Sequence, residues 1–405
     1  MQSKERDKPK VLDIEYYFDL NIRVMSLIGL RCDGPKITGF VHRIPTYTSN
    51  TIAILILIFE ICLMSDPVCS SNMELTIQTA SQTVSNIQCV SKGFLFVNAI
   101  EKLQVVYNEL QVLSQKYPLE DEIQVLVFDI AEKTMNFCKY YAIAICSCIL
   151  FYYTPIVVNV IVYILQDPST NHTFDFTQTL FYLKYPFTIK TFPIYSTIVS
   201  IEAVNLIAQG IFWFLGDTLF AQVTTHICIQ FKILKHDIQK TFNDEGSKSK
   251  EILIGLIKRH RQLISMCMLT EDIFSPVIFS VMILSSTNLC VNIIGASTAI
   301  NDGDYMNAGV YATILLITVF QIFFYCIFAE KTTEETRSLA DTVYHLNWAM
   351  KDHHIRLHIL LIIMRAQKPF YCTAYGFFPI GHQKLTSILS TAYSYYMMLR
   401  TTANV

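Results

Sequence analysis

The sequence predicts an all-α membrane protein with seven transmembrane helices. Three observations carry that prediction. Of 405 residues, 16% are charged and 52% are hydrophobic, against roughly 25% charged in an ordinary soluble protein. The mean hydropathy is +0.38. The charges are also bunched, leaving stretches of about 20 residues, the length that crosses a bilayer, almost free of them. This pattern excludes a disordered chain, a secreted disulfide scaffold and a nucleic-acid binder with a basic surface.

Residues 1–43 form a charged arm (Lys4, Glu5, Arg6, Asp7, Lys8, Lys10) without the short apolar region and cleavage site of a signal peptide. The first span, at 44–64, then acts as its own anchor. Further spans fall at 75–98, 137–165 and 193–215, so that 44–216 holds transmembrane helices 1–4. The second is rich in Ser, Thr and Gln. A polar span survives when it faces the bundle interior or water rather than lipid.

Residues 217–272 continue past the fourth span as helix. Phe220, Val223, Ile227, Phe231, Leu234 and Ile238 recur at +3 and +4 on one face, with Lys232, Lys235 and Lys240 opposite. After the turn Asn243-Asp244-Glu245-Gly246-Ser247, a second amphipathic helix begins near Glu251, with Leu253, Leu256, Ile257, His260 and Ile264 along one side. Spans five and six, at 273–297 and 307–329, occupy 273–329. Residues 330–370 hold an acidic segment (Glu330, Glu334, Glu335) and a short apolar helix, Ile359 to Met364, bracketed by Arg356 and Arg365. That run is too short to cross a membrane. It packs either within its own subunit or against a partner surface. Residues 371–405 carry the seventh span, at 371–399, again polar.

Lys and Arg gather in the N-terminal arm and in the second, fourth and sixth loops. The first and fifth loops carry none, the third carries Lys184 and Lys190, and the tail carries Arg400. The positive-inside rule puts the N-terminus in the cytoplasm, and seven spans then put the C-terminus outside. The sequon Asn171-His172-Thr173 lies in the third loop, on the outer side, where glycosylation occurs. This orientation is the reverse of a G-protein-coupled receptor. Its 217–272 and 330–370 helices make up a cytoplasmic anchor region.

The twelve cysteines show no CxxC and no Cys/His cluster at metal spacing; they read as small apolar packers. His354 and His358 sit at i, i+4 with no third ligand, so no metal and no other cofactor is expected. GxSxG, HExxH and P-loop signatures are absent, and an enzyme is not expected.

With Ser387 at 0° and about 100° per residue, Thr391, Ser394, Met398 and Thr401 all fall within about 40° of it. Leu385, Ile388, Leu389, Ala392, Tyr395, Tyr396 and Leu399 lie between about 80° and 200°. A thin hydroxyl stripe is either a close-packing seam or a pore wall, with Met398 as a hydrophobic constriction.

The same segment resembles the insect odorant receptors. The likeness rests on Arg365-Ala366-Gln367-Lys368-Pro369, Phe377-Phe378-Pro379, Thr386-Ser387, Leu389 and Thr391-Ala392-Tyr393-Ser394-Tyr395 near the C-terminus. Gly381-His382-Gln383-Lys384-Leu385 departs from that family's Ser-Leu-Glu-Thr-Phe-like stretch. The resemblance implies a subunit of a tetrameric, odour-gated, non-selective cation channel in the plasma membrane of olfactory sensory neurons. An odour-tuning subunit there assembles with a shared co-receptor. The last helix lines the pore and the bulky residue at Met398 closes it. The co-receptor's extended fourth-span loop is missing, so this chain resembles the tuning subunit.

The resemblance also implies a small apolar volatile bound among spans two, three, four and six, in the outer half of the membrane. Apolar clefts with a few polar groups make such sites. The candidates are Thr79, Gln82 and Thr83; Phe151, Tyr152 and Thr154; Tyr195, Val199 and Glu202; and Tyr311. A carboxylate inside a span, as at Glu202, faces the interior and takes a partner; Lys92 matches it by charge but sits nearer the inner half. A gustatory-type receptor channel shares the architecture. A secondary transporter requires internal repeats, and none is detectable.

Overall fold

The computed structural model describes residues 11–31, 40–117, 119–165, 174–243, 249–346, 348 and 353–403. Asn171 lies outside them, and so does the side chain of Thr401. Among the described residues there are helices and turns but no strand. In chain order the helices are α1 (Ile14–Leu27), α2 (Ile44–Met64), α3 (Pro67–Ser71), α4 (Met73–Lys116), α5 (Asp121–Leu165), α6 (Phe192–Asn243), α7 (Ser249–Asn301), α8 (Tyr305–Tyr344), α9 (His353–Ala366) and α10 (His382–Ala403).

Helix lengths dictate the architecture. The 21 residues of α2 reach about 30 Å at 1.5 Å per residue, one hydrocarbon thickness. The 40 to 53 residues of α4 to α8 reach about 60–80 Å. Each is longer than one bilayer crossing requires, and their far halves build a helical stem. We call that the stem end, and the opposite end, which carries residues 174–191, the loop end. Local chemistry sets the helix starts. The side chains of Asp13, Asn72 and Asp304 accept from Glu15, Leu75 and Met306 backbone N–H groups respectively, satisfying donors that no helical carbonyl reaches. The α7–α8 turn passes through Gly303 at φ 76°, a left-handed conformation suited to glycine.

Five helices are long and apolar enough to cross a membrane by composition: α2, α5, α6, α7 and α8. Helices α4 and α10 are not, and they are the two spans whose sequences are polar. For α4 the reason is packing. It contacts α2, α6 and α7, and Thr79, Ser81, Thr83, Asn86, Gln88 and Lys92 are all buried.

The stem is closely packed around α6. Phe220, Val223, Ile227, Phe231, Leu234 and Ile238 of α6 are at most 1% exposed, as their spacing requires. Helix α1, hidden in the charged arm, lies across α6: Asn21 Nδ2 donates to Thr218 Oγ1 at 2.7 Å and Gln222 Nε2 donates to the Tyr17 carbonyl at 3.2 Å.

One expected boundary changes. The seventh helix starts at His382, not near 371. Residues 371–381 instead form a tight turn with Ile380 N donating to Cys372 O at 2.8 Å and Ala374 N to Phe378 O at 3.0 Å. Pro379 lacks an N–H, and Gly376 takes φ 76°, so the run cannot propagate helix. The acidic segment at 330–335 continues α8, and in the expected anchor region α6 extends through 217–243 and α7 through 249–272.

Candidate functional site

At the loop end, two buried carboxylates organise the polar groups. Glu202 of α6 is 1% exposed. Its Oε2 accepts from Leu180 N at 2.8 Å and its Oε1 accepts from Tyr185 OH at 2.7 Å. Its partners are thus the 174–191 segment, not Lys92. Glu60 of α2 is fully buried and accepts from Gln82 Nε2 at 2.8 Å and Asn86 Nδ2 at 3.4 Å. Gln82 in turn accepts from Tyr182 N at 3.2 Å, and Gln209 Nε2 of α6 donates to Asn86 Oδ1 at 3.2 Å. Held at these points, Leu180 and Phe181 dip into the bundle and pack with Ile56, Ile156 and Leu206. An ion pair between Lys184 and Asp66 ties the same segment to the end of α2.

The sequence-predicted candidates divide into two groups. Thr79 and Thr83 are buried, each hydroxyl donating one turn back along α4, to Leu75 O and Thr79 O. Gln82, Val199 and Glu202 stand on the faces just described. Tyr195 is buried, with its OH donating to Gln178 O at 2.8 Å and its ring 5.0 Å from that of Phe174. Tyr311 is 3% exposed and lies against Gly295 of α7, where a Cβ would come within 2.7 Å of the ring; only glycine fits that approach. Phe151, Tyr152 and Thr154 are exposed on the isolated chain. Ile149, Tyr153 and Ile156 are the α5 residues that turn towards the Leu180–Phe181 cluster.

Midway along the bundle sits an ion pair that sequence reasoning did not assign. Lys92 Nζ of α4 lies 2.8 Å from Asp217 Oδ1 of α6, with the two side chains 0% and 1% exposed. Asp217 also accepts from Tyr325 OH at 2.7 Å, Tyr141 OH at 2.5 Å and Gln321 Nε2 at 3.0 Å. Gln88 Nε2 donates to Gln321 Oε1 at 3.0 Å. Four helices, α4, α5, α6 and α8, therefore converge on one carboxylate. Gly216 makes room for Lys92, since a Cβ there would lie 3.2 Å from Nζ.

In the stem, Arg259 is 1% exposed. It donates to Asp237 Oδ2 at 2.7 Å and Gln230 Oε1 at 2.9 Å, and covers the Tyr117 ring at 3.9 Å. Burial raises the Asp237 carboxyl above its usual range, and Arg259 offsets part of that rise. His226, packed 5.2 Å from Phe18 and 5.7 Å from Tyr17, is pushed down to about 3 by burial.

The turn before α10 is bound to two neighbours. Glu271 of α7 accepts from Thr373 N at 3.0 Å, and Ser275 Oγ accepts from Tyr375 N at 2.6 Å. Glu330 of α8 accepts from His382 N, the first residue of α10, at 3.4 Å. Beyond it, α10 buries Ile388 and Ala392 against α7 and α8, while Ser387, Thr391, Ser394 and Met398 are exposed. Helix α9 buries Ile359, Ile362, Ile363 and Ala366 and exposes Leu357, Leu360, Leu361 and Met364.

The sequence profile of the family described as 7tm Odorant receptor matches residues 72–393. The chain belongs to the odorant receptor family. Among its relatives are odorant receptor 45a of Drosophila melanogaster, 30% identical over 46% of this chain and 47% of that one, and odorant receptor 67c of the same fly, 23% identical over 48% and 47%. Odorant receptor 10 of Aedes albopictus is 24% identical over 52% and 57%. These matches span about half the length of the curated relatives. The solved olfactory receptor OR5 of Machilis hrabei has the same fold: TM-score 0.74 at 16% identity, covering 95% of this chain and 98% of that one. Its complex with eugenol matches at TM-score 0.74 and 17% identity, over 96% and 98%. This odorant receptor is therefore an all-α membrane protein of the seven-helix type, in a family of receptors rather than enzymes.

The bent loop end and the Asp217 hub escaped sequence reasoning. A faint signal existed for both. Glu60, Lys92 and Glu202 are isolated charges inside apolar or small-polar spans, and such charges turn inwards and find partners. Which partner each finds is a matter of register between helices.

Proposed function

We propose that this odorant receptor is the odour-tuning subunit of a heteromeric, ligand-gated, non-selective cation channel. It assembles with a co-receptor in the plasma membrane of olfactory sensory neurons. The observation that carries the proposal is α10. It buries Ile388 and Ala392 against its own subunit, while Ser387, Thr391, Ser394 and Met398 lie on its exposed side. A pore wall shared between subunits needs such a face, lined with hydroxyls and closed by an apolar ring. The bare stripe Leu357, Leu360, Leu361 and Met364 of α9 supports the stem as the anchor between subunits. The loop end is the outer side, the N-terminus is cytoplasmic and Asn171 carries a glycan.

The odorant enters at the loop end, among α4, α5, α6 and α8, near Thr79, Gln82, Thr83, Tyr195, Val199, Glu202 and Tyr311, with Tyr153 and Ile156 as the inward residues of α5. Support comes from the solved OR5 complex, in which a protein of this fold holds the small volatile eugenol. Binding at the loop end reaches the pore through α7 and α8. They meet near the loop end through Gly295 and Tyr311 and, further towards the stem, hold the turn before α10 through Glu271 and the first residue of α10 through Glu330.

Co-expression with a co-receptor and exposure to a volatile panel tests the reading. Inward cation current is expected only when both subunits are present. An N-terminal tag labels only after permeabilisation, a C-terminal tag labels on intact cells, and Asn171→Gln removes a glycan. Current without the co-receptor, or a cytoplasmic C-terminus, refutes the assignment.

A further inference from the structure

Asn205 of α6 is fully buried, yet both its amide oxygen and its amide nitrogen lack a hydrogen-bond partner among the described residues. Buried amides without partners are rare, because each lost bond to water goes uncompensated. The neighbours on its helix face are engaged. One turn towards the loop end, Glu202 holds the 174–191 segment; one turn towards the stem, Gln209 holds Asn86.

The direction Asn205 faces follows from its helix. At about 100° per residue, Gln209 and Gly216 lie within about 40° of it. Both face α4: Gln209 meets Asn86 and Gly216 meets Lys92. Helices α4 and α6 run in parallel there, and the same register sets Asn205 level with Gln82 and Thr83. Their polar groups are also occupied. Gln82 bonds Glu60 and Tyr182, and the Thr83 hydroxyl bonds its own helix. Asn205 thus presents an unclaimed donor and an unclaimed acceptor at the level of the proposed odorant site.

We infer that Asn205 is the polar anchor of that site and selects neutral volatiles bearing a hydroxyl group. The inference rests on the receptor reading above. A hydroxyl donates to the Asn205 oxygen and accepts from its nitrogen, pairing both orphan atoms. A ketone pairs only the nitrogen, and a hydrocarbon pairs neither. The order of potency is alcohol or phenol, then ketone, then hydrocarbon.

The test uses the receptor with its co-receptor and ligands matched in heavy atoms: 1-octanol, 2-octanone and nonane; 4-ethylphenol and 4-ethyltoluene. In the wild type the hydroxyl members are expected to be at least about tenfold more potent than the hydrocarbons, the effect of one hydrogen bond of about 1.4 kcal/mol. Asn205→Leu removes an unpaired buried amide and is expected to reach the surface normally. It closes the gap by weakening the hydroxyl ligands about tenfold and leaving the hydrocarbons unchanged. Asn205→Ser, which keeps a donor and an acceptor, retains part of the preference. Three results overturn the inference: hydrocarbons as potent as alcohols in the wild type, equal weakening of all ligands by Asn205→Leu, or no change, which leaves Asn205 holding only water. If no volatile evokes co-receptor-dependent current, the receptor reading falls as well. If hydrocarbons alone evoke it, only the inference falls.

Discussion

Removing the Asp217 charge is expected to cost about twice as much as removing the Lys92 charge, although the two form one ion pair. Asp217 accepts from Lys92, Tyr141, Tyr325 and Gln321. In Lys92→Met the carboxylate keeps three of these donors, and Met fills the volume of the lost side chain. In Asp217→Asn a fully buried ammonium loses its counter-ion and faces an amide, with the Trp213 ring 5.5 Å away as its remaining support. Leaving a buried charge unpaired costs about 3–5 kcal/mol. Losing one hydrogen bond to an otherwise satisfied charge costs about 1.5–3 kcal/mol. With an unfolding entropy of about 2.1 cal/mol/K per residue, a chain of this size loses about 1 °C of Tm for each kcal/mol. Thermal unfolding of the detergent-solubilised receptor, read by fluorescence-detected size exclusion, is expected to show a drop of about 3–5 °C for Asp217→Asn and about half that for Lys92→Met. The double variant recovers part of the Asp217→Asn loss, because no lone charge remains. Equal losses, or a larger loss in Lys92→Met, refute the view that the tyrosines and Gln321 hold the carboxylate independently of the lysine.

Met398→Ser is expected to raise resting current at matched surface expression by wetting the apolar ring, while Tyr396→Ser, on the far side of α10, does not leak; whole-cell recording without ligand decides it, and equal leak refutes the pore-wall assignment. Leu361→Glu is expected to abolish co-purification with the co-receptor while leaving membrane insertion intact, since Leu361 is 61% exposed on the bare face of α9; full recovery of the complex means that the face is not an interface. His226, at about 3 when folded, sits below the usual imidazole value of about 6.5. Between these values the unfolded chain binds more protons, so stability is whole above pH ~6.5 and declines as pH falls towards 3. His226→Phe is expected to flatten that decline in Tm measured from pH 7 to 4, and an unchanged slope refutes the assignment.

The sequence by itself determined the class, the number of crossings and the inner faces of the stem helices. Those properties follow from local patterning. Twenty apolar residues must cross a bilayer, and Phe220 to Ile238 repeat at the helical period, so one face is buried whatever it meets. The hydroxyl stripe of α10 was legible for the same reason. Residues four apart share a face, and Ser387, Thr391 and Ser394 do so in the structure, opposite the buried Ile388 and Ala392. Tertiary structure alone decided the partners. By charge Lys92 matched Glu202, and only the registry of α4 against α6 gives it to Asp217 and leaves Glu202 to the backbone of Leu180. Likewise Phe151, Tyr152 and Thr154 share the composition of a pocket wall, but the rotation of α5 turns Ile149, Tyr153 and Ile156 inwards instead. Helix rotation and register are set by how all the side chains interlock at once, and a single chain of letters does not carry that sum. Asn205 shows the same limit most plainly: in the sequence it is one asparagine in an apolar run, and only the packed bundle leaves its amide without a partner.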